Sequence, residues 1–274
     1  MPCSLLYIMI IMDNLLLAFG LTLFAGLCTG LGGLFAFTKQ TQTKKFLSFA
    51  LGLSAGVMIY VSFIDIFPKA LVAISSGFGD DLAYFWTTLA FFLGMGLIAL
   101  IDNLIPKELN IHELPGQDVR KQSNEQNLLR LGTFTALAIA IHNFPEGLAI
   151  FLATLQNPSI GISIAFAIAI HNIPEGIAVA IPIFHATKSK RKAFLWSFIS
   201  GLAEPLGAVI GFLLLRDFFN DLTFGFLFAG VAGIMVYISL DELLPAAEKY
   251  GEHHISIFGV MSGMAIMALS LILL

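Results

Sequence analysis

Two six-residue runs carry the densest chemistry in this chain: HNFPEG at 142–147 and HNIPEG at 171–176. Each offers an imidazole (His142, His171), an amide oxygen (Asn143, Asn172) and a carboxylate (Glu146, Glu175) within little more than one helical turn. His and Glu stand at i, i+4 and Asn and Glu at i, i+3, so on a helix each set is close together. Mixed nitrogen and carboxylate donors suit Zn²⁺, Fe²⁺ and other divalent first-row ions, whereas Mg²⁺ and Ca²⁺ prefer oxygen alone. Pro145 and Pro174 each remove a backbone hydrogen bond and free a carbonyl one turn earlier. Gly147 and Gly176 permit close helix approach. A further glutamate, Glu204, lies in another apolar segment; with Glu146 and Glu175 it could bridge two metal ions.

The elements that must hold these residues are membrane spans. The chain has 274 residues, 58% hydrophobic and 12% charged, with a mean hydropathy of +0.90. A soluble domain carries roughly 25% charged residues. That composition excludes a disordered chain and an ordinary soluble domain. A net charge of −4 without a large positive field excludes a nucleic-acid binder. Cys3 and Cys28 support neither a disulfide framework nor a cysteine metal cluster. Hydropathy predicts an all-α membrane protein with eight transmembrane helices, at about 14–37, 46–74, 84–105, 131–155, 160–185, 194–215, 223–246 and 255–274. The second segment is too long for one straight span, and Pro68 should break or kink it near its end.

Twelve Lys and Arg fall in the loops on one side of this topology, against Lys69 and Arg216 on the other. The positive-inside rule makes the first side cytoplasmic and both termini extracytoplasmic. The plasma membrane, for a bacterium the inner one, is the expected location. In this frame all seven candidate ligands lie near the midplane. Three unpaired glutamates there would cost on the order of 8–10 kcal/mol. With no intramembrane Lys or Arg to pair them, a bound cation is the natural partner.

Three internal similarities organise the chain. Residues 55–70 match 232–247, 138–150 match 167–179, and 26–37 match 201–212; a weaker echo links 91–100 to 260–269. Helices 1–3 thus resemble helices 6–8, and helix 4 resembles helix 5. The triplets are five helices apart and so oppositely oriented, an inverted repeat that places a transporter's site at the repeat interface. One transmembrane domain, 1–274, follows: repeat 1 over about 14–105, a cytoplasmic loop over 106–130, helices 4 and 5 over about 131–185, and repeat 2 over about 194–274. Asp65 near the outer mouth matches Glu242 near the inner mouth, beside Asp241, and Ser62 matches Ser239. Ser62, Asp65, Asp241 and Glu242 are candidate stations on a cation path, or helix-end charges. His253 and His254 form a loop cluster with Glu252 whose role stays open.

At HNFPEG and HNIPEG, and again at GLAEPLGA (201–208) and MVYISLDELLP (235–245), the chain resembles the ZIP family of divalent metal transporters, in particular its bacterial ZupT-type branch. The resemblance runs over essentially the whole chain. It implies eight helices in a 3+2+3 arrangement, uptake of Zn²⁺ and often Fe²⁺, Mn²⁺, Co²⁺ or Cd²⁺ into the cytoplasm, and a binuclear site across helices 4 and 5. Carried over by motif, one metal takes His142, Glu146, His171 and Glu175, and the other Asn143, Glu146, Asn172, Glu175 and Glu204. By analogy helices 2, 3, 7 and 8 form a scaffold against which a transport unit moves. The 106–130 loop departs from the pattern: it holds one histidine, His112, where many members carry a His-rich run.

The leading function is therefore metal uptake by a carrier that is not an enzyme and holds no prosthetic group, Zn²⁺ or Fe²⁺ being its transported ligand. Its partners are metal ions and the lipid bilayer, with a homodimer left open. An intramembrane metalloenzyme is the alternative. Against it, H-E-x-x-H is absent and the di-iron order Glu-x-x-His is reversed here. A proton-coupled exchanger of organic cations is a third reading, and a static site leaves metal export open as well. No phosphate-binding G-x-x-x-x-G-K-[ST] run is present, so energy must come from gradients.

Overall fold

The computed structural model describes residues 2–38, 43–104, 122–215, 220–250 and 252–273. His112 and most of the 106–130 loop lie outside them. Among the described residues all regular secondary structure is helical, and eight segments are long and apolar enough to cross a membrane. These are Asn14–Leu34, Lys44–Phe78, Asp80–Ile101, Leu128–Leu155, Gly161–Thr187, Lys190–Leu213, Asp221–Lys249 and His253–Leu273. The eight expected spans are thus present.

The helices are α1 (Pro2–Leu34), α2 (Lys44–Val61), α3 (Phe67–Phe78), α4 (Asp80–Leu104), α5 (Gln122–Gln156), α6 (Pro158–Thr187), α7 (Lys190–Gly201), α8 (Ala203–Leu215), α9 (Asp221–Ile238), α10 (Leu244–Tyr250) and α11 (His253–Leu273). Thr43, Ser189 and Asn220 cap α2, α7 and α9 with side-chain oxygens. The fourth span is the apolar part of a longer helix that begins at Gln122.

The long second span does not break at Pro68. A π-helical turn at Ser62–Ile66 joins α2 to α3, and Pro68 follows at the start of α3. A second π-turn, Ser239–Leu243, joins α9 to α10 and is likewise followed by a proline, Pro245. Each turn absorbs one extra residue where the proline supplies no N–H to the ladder. Pro145, Pro174 and Pro182 sit inside continuous helices.

Apolar burial drives helix association weakly in lipid, so close packing must do it. The helices sort into two groups. In one, α1 packs on α5, α6, α7 and α8, and α5 on α6 and α8; in the other, α2 packs on α11 and α10, and α9 on α4 and α3. The groups meet where α2 faces α6 and α9 faces α5. Glycines mark the division. A Cβ on Gly147 would overlap the carbonyl of Glu204, one on Gly176 that of Thr29, and one on Gly207 that of Phe144. In the second group Gly56 abuts Val260, Gly233 abuts Phe91 and Gly263 abuts Leu53. Among the described residues, each glycine that leaves no room for a side chain meets a neighbour from its own group.

Candidate metal centre

Helices α5 and α6 pack side by side and carry the two HN-x-PEG runs into the interior. His142, Asn143, Glu146, His171, Asn172, Glu175 and Glu204 are all buried. The spacing put His142 beside Glu146 and His171 beside Glu175. The close pairs instead run across the helices: His142 Nε2 lies 3.1 Å from Glu175 Oε1, and His171 Nε2 lies 3.4 Å from Glu146 Oε1. Neither pair makes an aligned hydrogen bond. Two donors at ordinary zinc bond lengths stand about 2.9 Å apart at a right angle and about 3.4 Å apart at the tetrahedral angle. Both contacts therefore have the separation of ligands sharing one ion.

The asparagines are tied by their amide nitrogens, which turns them toward acting as acceptors. Asn143 Nδ2 donates to the Ser200 carbonyl at 3.3 Å, and Asn172 Nδ2 to the Ala25 carbonyl at 2.8 Å. Asn172 Nδ2 also donates to Glu204 Oε1. Glu204 lies in the first turn of α8. Each ring nitrogen of both histidines, both oxygens of Glu146 and Glu175, Glu204 Oε2 and both asparagine Oδ1 atoms are buried without a hydrogen-bond partner. Such a concentration of unsatisfied donors and acceptors in a membrane interior calls for a ligand. Among the described residues no three His, Cys, Asp or Glu side chains yet converge on a single point. The donors stand as two His–Glu pairs flanked by Glu204 and the two amides.

The candidate path residues divide. Asp65 lies in the first π-turn and pairs with Lys69 Nζ at 2.8 Å. A narrow cleft joins this pair to Glu146 and His171. Ser62 does not line that cleft; it is buried, and its hydroxyl donates to the Met58 carbonyl at 2.7 Å. Its match Ser239 does the same to Met235 at 2.8 Å. Asp241 and Glu242 lie in the second π-turn, Glu242 buried and Asp241 half-buried. His253 Nδ1 contacts Glu248 Oε1 at 2.8 Å on the surface, and Lys45 pairs with Glu252 at 3.3 Å.

Sequence reasoning passed over two residues here. Lys69 stands i, i+4 from Asp65, a spacing visible in the sequence, yet counted only as a loop charge. Thr29 falls opposite Glu204 when 26–37 is laid on 201–212. It is fully buried, and its Oγ1 has no hydrogen-bond partner.

A family model described as ZIP Zinc transporter matches residues 106–271. The chain is 61% identical over 267 residues to Zinc transporter ZupT of Oceanobacillus iheyensis, covering 96% of this chain and 100% of that protein. It is 58% identical over 264 residues to Zinc transporter ZupT of Chlorobaculum parvum, covering 95% and 98%. It is also 58% identical over 261 residues to Zinc transporter ZupT of Streptococcus mutans, again covering 95% and 98%. Matches of this extent, with the paired HN-x-PEG runs at the heart of the fold, establish that the chain belongs to the ZIP zinc transporter family.

Proposed function

We propose that this protein takes Zn²⁺ across the plasma membrane into the cytoplasm through a binuclear site of His142, Asn143, Glu146, His171, Asn172, Glu175 and Glu204. It is a multi-pass membrane transporter of divalent metal, not an enzyme. The observation that carries the site is the set of buried, unpartnered nitrogen and oxygen atoms on these seven residues. Fe²⁺, Mn²⁺, Co²⁺ and Cd²⁺ are further cargo, since such donors separate these ions by geometry and supply more than by type. A membrane potential, negative inside, offers about 4.6 kcal/mol per divalent ion per 100 mV.

Alternating access comes from the inverted repeat. Exchanging spans 1, 2, 3 and 4 with 6, 7, 8 and 5 turns the α1–α6 contact into the α8–α5 contact and the α2–α11 contact into the α9–α4 contact. Close approaches follow the same exchange: Gly147 on Glu204 becomes Gly176 on Thr29, and Asn143 on Ser200 becomes Asn172 on Ala25. The two glycine-packed groups support a transport unit (α1, α5–α8) that moves against a scaffold (α2–α4, α9–α11). The Asp65–Lys69 end faces outward with both termini, and the weakly buried α4 and α11 face lipid.

Entry of radioactive Zn²⁺ into proteoliposomes tests this, wild type against His171→Ala/Glu175→Ala. Saturable entry lost in the double variant is expected. Undiminished entry in the variant overturns the site, and metal binding without entry in the wild type overturns the carrier.

A further inference from the structure

We propose that Lys69 is a built-in counter-cation at the outer mouth, which an incoming divalent ion must displace from Asp65. This rests on reading the Asp65 end as the side from which metal is loaded. Three observations lead to it. Lys69 Nζ sits 2.8 Å from Asp65 Oδ2, so the carboxylate at the head of the cleft already holds a cation. The cleft from this pair to Glu146 and His171 has a volume of about 20 Å³, room for about one water. An ion therefore cannot pass with its hydration shell intact, and Asp65 is the place to begin replacing that shell. Lys69 also lines two roomier cavities, of about 610 Å³ and 280 Å³. Its four-carbon stem thus has space to swing aside.

The repeat sharpens the point. Asp65 matches Glu242, but the residue matching Lys69 is Ala246, which is buried. The Asp65–Lys69 spacing is thus not repeated at Glu242. A tethered ammonium competes at high effective concentration. A singly charged ion gains no more at Asp65 than Lys69 does, whereas a doubly charged ion gains about twice the attraction. Lys69 thus raises the threshold for loading and screens the mouth against monovalent ions.

Zn²⁺ uptake kinetics in proteoliposomes of wild type, Lys69→Gln and Lys69→Arg test the proposal. KM should fall about two- to fivefold in Lys69→Gln, the size expected when a partly exposed pair is lost. It should rise in Lys69→Arg, because a guanidinium can grip a carboxylate with two hydrogen bonds. Replacing a bulky organic cation by Na⁺ at constant ionic strength should inhibit Lys69→Gln more than wild type. Equal KM values and equal Na⁺ sensitivity would overturn the proposal while leaving uptake intact. A wild type that admits no metal would instead overturn the transport reading and the proposal with it. If either variant fails to fold, wild type still decides: saturating Zn²⁺ should increase acylation of Lys69 by an impermeant amine reagent, and unchanged labelling refutes displacement.

Discussion

Glu204 on α8 and Thr29 on α1 occupy matching places in the two halves of the molecule, yet one is a carboxylic acid and the other an alcohol. Around them the backbone barely distinguishes the halves. Gly147 presses on the Glu204 carbonyl as Gly176 presses on that of Thr29, and each site asparagine is tied to a carbonyl of the facing half. Helix packing held to one pattern while the chemistry diverged at one position. Electrostatics gives a reason. A fourth midplane carboxylate would add about 2.5–3.5 kcal/mol to the cost of the empty site, whereas a hydroxyl adds far less. In the proposed centre this asymmetry would limit the repulsion among the carboxylates before metal is loaded.

The comparison can be tested most severely at the shared backbone. Gly147→Ala and Gly176→Ala should each destabilise the protein by about 1–3 kcal/mol or more, because a methyl group would meet a carbonyl on rigid helix. Thermal unfolding in detergent would show both losses. Similar losses uphold the matched packing, and a large disparity breaks it. The chemical difference is the next test. Glu204→Gln should reduce bound Zn²⁺ from two ions to one per chain and lower uptake by about 10- to 100-fold. Thr29→Val should change either quantity less than about twofold, since its hydroxyl has no partner to lose. Equilibrium dialysis with tracer uptake measures both, and equal effects would erase the proposed inequality. The smallest effects are expected at the π-turns. Ser62→Ala and Ser239→Ala each remove a bond to the helix's own carbonyl. Each should shift stability by under about 1 kcal/mol, in the same direction.

Much of this was legible before any coordinates. Eight spans follow from apolar runs set off by charged loops. The proposed repeat rests on matched Gly, Tyr, Ser and Pro. The seven proposed site residues stand out in the sequence because charge inside a membrane is so costly. Hidden were the features that depend on which helix faces which. Spacing along one helix suggested His142 with Glu146, but the partner across the interface, Glu175, is closer to the ring. Pro68 announced a distortion but not its form, because a widened turn and a break demand the same missing N–H. The start of α5 at Gln122 was invisible because its first turns are polar. Lys69 was in plain view at i, i+4 from Asp65, and loop-charge counting obscured it.

The glycine contacts have a consequence for kinetics. Where helices touch backbone to backbone, no side-chain rotamer is left to adjust, so the proposed transport unit holding α5 and α6 would keep its shape as it moved. On that proposal a cavity of fixed shape would be carried past its surroundings at a speed that depends little on which ion rides inside. Choice among metals must then be made at the moments of boarding and leaving. Competing ions would differ in how readily they saturate the protein while sharing a similar maximal turnover.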